Sequence, residues 1–241
     1  GKAIGELLNQ IESKFNFSNP SASLPDLIKT YQMIASLDEN HWKSIKLEEL
    51  KNIIAGCSGL YLEAVSNVQQ ATPGSTVKLK LEAINRSAIP MELSGISLFP
   101  NQKNIILNTK LSTNIAEKTT IDLELDENLE YSQPYWLKNK GTTGMYEVTE
   151  QQNIGIPDII REVKVVFNVK INNVEIPFER TVVYKYNDGV KGEMYNFLDI
   201  VPEVTTSIME RVLIFKDTKS KMIPVKVKAG KDNITGNLQL E

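Results

Sequence analysis

The chain has 241 residues, of which 41% are hydrophobic and 24% charged, with a formal net charge of −3. That is ordinary globular usage, enough for one large or two small cores, and it gives no reason to expect a disordered chain. The mildly acidic balance argues against a nucleic-acid surface, because phosphate binding needs a concentrated basic face, and the basic run from Lys216 to Lys231 alternates with apolar residues like the solvated side of a strand.

The chain begins Gly1-Lys2-Ala3-Ile4-Gly5, with neither an initiator methionine nor the layout of a signal peptide, so we expect a piece of a longer protein. Ile4, Leu7, Leu8, Ile11 and Phe15 recur at helical spacing and share one face. Asn16 to Ser23 is a polar break containing Pro20. Ser23 then reads as the N-cap of a second helix, with Pro25 in its first turn and Asp26 as the box partner. Leu24, Leu27, Ile28, Tyr31, Ile34 and Ala35 form its apolar face. A third helix is predicted from about Lys43 to Ala55, burying Ile45, Leu50, Ile53 and Ile54 and ending at Gly56 and Gly59. Each helix has one apolar face and needs a partner to pack against.

From Leu60 the period changes to two. Val77, Leu79 and Leu81 alternate with polar residues, as do Ile121, Leu123 and Leu125, then Val163, Val165, Phe167 and Val169, then Val182, Tyr184 and Tyr186. Turn signals separate the runs at Thr72-Pro73-Gly74-Ser75, Asn85-Arg86-Ser87, Pro100-Asn101, Asn172-Asn173 and Asn187-Asp188-Gly189. Strands with one polar face predict antiparallel sheets stacked as a sandwich. The clearest hairpin pairs Val163–Lys170 with Glu175–Tyr184 across Asn172-Asn173. Leu129 to Ile160 breaks the pattern, and an aperiodic segment of that length is often functional. Beyond Tyr195 a new set opens at Val201-Pro202-Glu203-Val204, with short strands expected around Val212–Phe215, Ile223–Lys228 and Asn237–Leu240. So few strands make a marginal module, incomplete or leaning on the first sandwich.

Candidate chemistry is sparse. The single histidine, His41, sits with Asp38 and Glu39 at a helix start and reads as a surface residue, since zinc sites usually take three or four protein ligands. The single cysteine, Cys57, cannot form an internal disulfide and reads as a small buried filler. No nucleophile elbow, calcium loop or phosphate-cradling glycine loop occurs, and no apolar run reaches the ~20 residues that span a bilayer. Asp122, Glu124 and Asp126 share one side of a strand at about 6–7 Å spacing. That suits glycoside hydrolysis in principle, but on an outer face it reads as solvated surface. Tyr135, Trp136, Met145 and Tyr146 are the candidate binding residues. They form either a platform for a sugar ring or partner surface, or a plug for the open end of the sandwich.

Three ordered sets of residues resemble the region behind the catalytic domain of large bacterial PIG-L/LmbE-like de-N-acetylases. The first is Gly59-Leu60-Tyr61-Leu62-Glu63-Ala64 with Pro73-Gly74 and Asn85-Arg86-Ser87. The second is Pro134-Tyr135-Trp136-Leu137 with Gly144-Met145-Tyr146 and Ile154-Gly155-Ile156-Pro157. The third is Val182-Val183-Tyr184-Lys185-Tyr186 with Gly192-Glu193 and Val201-Pro202-Glu203-Val204. The family's Rossmann-like catalytic domain binds zinc through a His-Pro-Asp-Asp type motif and a later histidine, and it removes N-acetyl groups from amino sugars. A chain with one histidine cannot carry that motif, so no catalytic or metal residue transfers. The resemblance implies a non-catalytic accessory region in a periplasmic or cell-surface protein. Its expected partners are the catalytic domain of the same polypeptide and a glycan, with zinc only in that other domain.

The sequence therefore predicts a mainly β chain in three parts: a helical lead-in over residues 1–58, an immunoglobulin-like β-sandwich over 59–195 and a small β module over 196–241. The expected function is docking on, or positioning substrate for, a deacetylase domain. The alternatives are an independent carbohydrate-binding module and a structural or protein-interaction spacer. We expect no catalytic activity from this chain alone, no cofactor in it, no nucleic-acid partner and no membrane span.

Overall fold

A computed structural model describes residues 1–210 and 212–239. Helices α1 (Lys2–Ser13), α2 (Leu24–Ala35) and α3 (His41–Ser58) come first. Then follow β1 (Leu60–Ser66), β2 (Gln70–Ala71), β3 (Thr76–Asn85), β4 (Met91–Phe99), β5 (Lys103–Leu111) and β6 (Ala116–Glu124). After a long irregular segment come β7 (Lys164–Ile171), β8 (Val174–Thr181), β9 (Val183–Asp188) and β10 (Gly192–Phe197). The last strands are β11 (Asp199–Ile200), β12 (Val204–Ile208) and β13 (Val225–Ala229). The chain divides into two units. One contains Gly1–Asn67, Lys78–Leu123 and Glu162–Phe197, and the other contains Val68–Val77, Glu124–Arg161 and the described residues from Leu198.

The helices of the first unit differ from their predicted limits for local reasons. Ser23 does not cap α2: Pro20–Ser23 form a 3-10 turn that holds Ser23 in a helical conformation, and its hydroxyl makes no capping bond. A capping side chain reaches back only from an extended residue. Asn40 has that extended conformation, and its side chain accepts from the Lys43 N–H at 3.0 Å, so α3 starts at His41. Gly59 stops α3 in the left-handed region, at φ +60, with Gly56 still inside the helix. Leu24, Leu27, Ile28, Ile34, Leu50 and Ile54 are buried. Ile53 was expected inside but is 50% exposed, and α1 buries none of its residues completely.

The sandwich has a five-stranded sheet in the order β10-β9-β1-β3-β6 and a four-stranded sheet in the order β5-β4-β7-β8. It is mainly antiparallel, with β1 and β9 parallel. β1 and β6 flank β3 in one sheet, β5 and β7 flank β4 in the other, and β3→β4 crosses between the sheets in the immunoglobulin-like manner. Alternation follows the pleat. Leu60, Leu62 and Ala64 face inward from β1, Leu79, Leu81 and Ala83 from β3, and Val165, Phe167 and Val169 from β7. In β4 the pairing register shifts between Leu93 and Gly95, so the buried positions change from Met91 and Leu93 to Ile96 and Leu98. A Cβ on Gly95 would lie 2.7 Å from the Ile105 carbonyl oxygen, which fixes glycine there. Asn172 and Asn173 both take positive φ, the geometry of a tight two-residue hairpin, and join β7 to β8 at the predicted turn, but β8 ends at Thr181 and the expected strand end at Tyr184 falls in β9. At Val182, wholly buried, the chain leaves the four-stranded sheet and enters the five-stranded one as β9.

Asn85, at the end of β3, is 1% exposed. Its amide donates to the carbonyls of Ile89 at 2.8 Å and Leu111 at 3.3 Å, while its oxygen accepts from the Ser87 N–H at 2.9 Å.

In the second unit β2 and β11 pair in parallel, and β12 and β13 form an antiparallel ribbon. Ser132 and Ile200 exchange two hydrogen bonds of 2.8 Å. The segment Leu129–Ile160 contains no strand, as predicted, only 3-10 turns at Tyr135–Leu137 and Gln151–Asn153. The strand expected at Val212–Phe215 does not form: the partner of β12 is β13, and a strand needs a neighbour to bond with. Residues 237–239 are likewise not in a strand, and Leu240 lies outside the described residues.

Asn85→Asp tests the junction between the sheets. It removes the donor to the buried Leu111 carbonyl, expected to cost about 1–3 kcal/mol when stranded, and to the part-buried Ile89 carbonyl. Urea denaturation should place it well below the wild type, and comparably to Phe167→Ala, for which truncation in the core costs about 3–5 kcal/mol.

Candidate functional site

The irregular segment brings three of the four candidate binding residues together. Pro134 leads into the turn holding Tyr135 and Trp136, whose rings meet edge to face at 5.0 Å. Thr142 and Met145 exchange backbone hydrogen bonds of 3.0 and 3.3 Å, closing a small loop with Gly144 at φ +88. A Cβ on Gly141 would lie 2.6 Å from the Met145 carbonyl oxygen. Trp136, Met145 and Tyr146 line a cavity of about 400 Å³ with Leu137, Asn139 and Thr142. Met145 is 71% exposed and Tyr146 68%. Tyr135 has a different role: its hydroxyl oxygen accepts from the Gly155 N–H at 3.1 Å and ties the two turns of the segment together.

A second constellation lies on the outer face of the five-stranded sheet. β1 presents Tyr61 and Glu63 there, β3 Glu82, β6 Lys118, β9 Lys185 and β10 Glu193 and Tyr195. Lys185 lies 3.2 Å from Glu63 and 3.2 Å from Glu193, and 5.4 Å above the Tyr195 ring. Glu82 and Lys118 pair at 3.5 Å, and the Tyr195 hydroxyl donates to Glu193. Arg86 sits 5.2 Å above the Tyr61 ring. A row of charged side chains, Glu193, Lys185, Glu63, Glu82 and Lys118, thus crosses five strands, with Glu63 and Glu82 directly opposite each other, and the Glu63 side chain is only 13% exposed. Burial, then the hydrogen bond and charge of Glu63, push Tyr61 from 10.0 up to about 12. Burial pulls Lys185 down, but its hydrogen bonds to Glu193 and Glu63 outweigh that and hold its ammonium above the usual lysine range. Hydrogen bonds from Tyr195 and Lys185 lower Glu193. Alternation in the sequence marks these residues as outward-facing. It contains no signal that strands more than 100 residues apart are neighbours, and that adjacency creates the constellation.

The other candidates stay apart. His41 is exposed beside Trp42, with ring centroids at 5.5 Å, and Glu39 pairs with Lys43 at 2.6 Å. Cys57 is half-buried, and burial raises its thiol above the usual value. β6 ends at Glu124, so Asp126 lies beyond the strand and accepts from the Asn128 N–H at 2.7 Å. Among the described residues no group of three or more His, Cys, Asp or Glu is placed to hold a metal ion. No helix among them is long and apolar enough to cross a membrane.

No protein family and no curated protein matches the chain. Among solved structures it is similar to the Pseudomonas fluorescens alkylpurine DNA glycosylase AlkC bound to DNA containing an abasic site analog, with 9% identity and a TM-score of 0.25. The similarity covers 67% of this chain and 45% of that one, so the chain spans less than half the length of that enzyme. A TM-score at that level carries no argument about fold or function.

The raised groups predict alkaline behaviour. A proton held more tightly in the fold than in the unfolded chain gives stability that is complete below the unfolded pKa and is lost as pH rises through the folded one. For Tyr61 that window runs from 10.0 to about 12, and Lys185 acts in the same direction. Thermal melts at pH 9, 10 and 11 should show a falling Tm, with a shallower fall in Tyr61→Phe.

Proposed function

We propose that this chain is a non-catalytic accessory region that docks on the catalytic domain of a PIG-L/LmbE-like N-acetyl sugar deacetylase and helps position its glycan substrate. The observation that carries the reading is an open apolar face on the helices. Ile4, Leu8, Ile34, Leu37, Trp42 and Ile53 line a cavity of about 290 Å³, with Trp42 66% exposed. A large aromatic standing out of an apolar patch is a common anchor of protein–protein contacts. The ordered motifs from Gly59 to Val204 supply the family, and the family supplies the periplasmic or cell-surface setting. Zinc belongs to the catalytic domain in this reading, because His41 alone cannot provide its ligands.

A second reading, an independent carbohydrate-binding module, is favoured by the exposed Met145 and Tyr146 beside Trp136 at one cavity.

The deciding measurement is the mass of the native protein in its source cell, with peptide sequence read upstream of Gly1. A much larger chain carrying a His-Pro-Asp-Asp stretch is the expected result, and a chain beginning near Gly1 would sink the reading. In that larger protein Trp42→Asp should lower the deacetylation rate several-fold and leave the isolated region's melting temperature within a few degrees of wild type.

A further inference from the structure

We infer that the outer face of the five-stranded sheet is a binding site for a neutral saccharide. The face encloses a cavity of about 420 Å³, inside the ~300–1,000 Å³ range of small-molecule sites. Its floor is the charged row of Glu63, Glu82, Lys185 and Glu193, and Lys80, Asn187 and Thr120 also line it.

Two observations point to this ligand class. First, the charges balance: Glu63, Glu82 and Glu193 stand against Lys80, Lys118 and Lys185. A site with no net field gives no steering to a polyanion or a polycation. What it offers is a dense interleaving of donors and acceptors, and the hydroxyl groups of a sugar both donate and accept. Second, some of that capacity is unspent. The Lys185 ammonium is fixed by two carboxylates, which pre-sets the floor. Among the described residues the side chains of Lys80, Thr120 and Asn187 make no hydrogen bond or ion pair within the chain, yet all three line the cavity. A purely structural salt-bridge row would need neither the cavity nor the idle polar side chains around it.

This site lies apart from Trp136, Met145 and Tyr146 in sequence, and it requires no catalytic domain. The test therefore uses the present chain, and its failure is separate from failure of the deacetylase reading. The chain is titrated calorimetrically with cellohexaose, xylohexaose, maltohexaose, N-acetylated chitohexaose and, as a polyanion, heparin hexasaccharide. At least one neutral hexasaccharide should bind in the micromolar to millimolar range. Thr120→Ala and Asn187→Ala, both at exposed positions, should each weaken it by about tenfold or more, with circular dichroism and Tm unchanged. Trp136→Ala should leave it as it is. No heat from any neutral hexasaccharide, binding of heparin alone, or binding lost in Trp136→Ala and kept in Asn187→Ala would each overturn the inference. If one variant misfolds, the other decides by the same criteria.

Discussion

The sandwich depends on one buried amide. Two sheets that share a core must be joined by segments that leave the sheet ladders, and every backbone group in those segments needs a partner other than water. At the β3→β4 crossing Asn85 supplies them from a single side chain, satisfying carbonyls of Ile89 and Leu111 while accepting from Ser87. Its own carbonyl accepts from Asn114 N–H at 2.7 Å, which ties the β5→β6 crossing to the same point. An apolar residue of similar size would fill the space and leave those carbonyls stranded, which is why a polar residue sits at 1% exposure inside an otherwise aliphatic core.

With the inner faces committed to packing, specificity is left to the surfaces. The outer face of the five-stranded sheet is unlike the solvated face that the alternating sequence predicts, because its acids and lysines pair across strands and sink partly below the surface. The helices offer the opposite texture, an apolar face with Trp42 and Ile53 outward. One chain thus presents a polar, charge-balanced surface and an apolar one, and these differ in what each can hold.

The period-two runs and their turn residues made most of the sandwich legible, and Asn172-Asn173 is the clearest case, since its two positive φ values are what that dipeptide favours. The helices were legible from their apolar spacing, but not their ends. Asn40 and Ser23 are both plausible caps by composition, and only the 3-10 turn from Pro20 to Ser23 decides against the second. The exposure of Ile53 was hidden for a related reason: helical periodicity names an apolar face but not how much of it a partner covers. β4 escaped because the register shift at Ser94 breaks the alternation halfway along it. Of the candidate binding residues, Tyr135 to Tyr146 were visible as an aromatic, aperiodic stretch. The outer-face constellation was not, since it arises from strand order rather than from any local pattern.

The parallel pairing of β1 with β9 has a consequence for how the chain is made. Lys185 follows its partner Glu63 by 122 residues. At a synthesis rate of about 5–20 residues per second, one edge of β1 waits roughly 6–24 s for its neighbour. During that interval β1 has only β3 beside it, and its free backbone groups form a template for any extended segment nearby. Glu63, outward on β1, keeps a charge on that edge until Lys185 arrives. The residue that later forms the floor of the polar cavity thereby also guards the nascent sheet against pairing with the wrong chain.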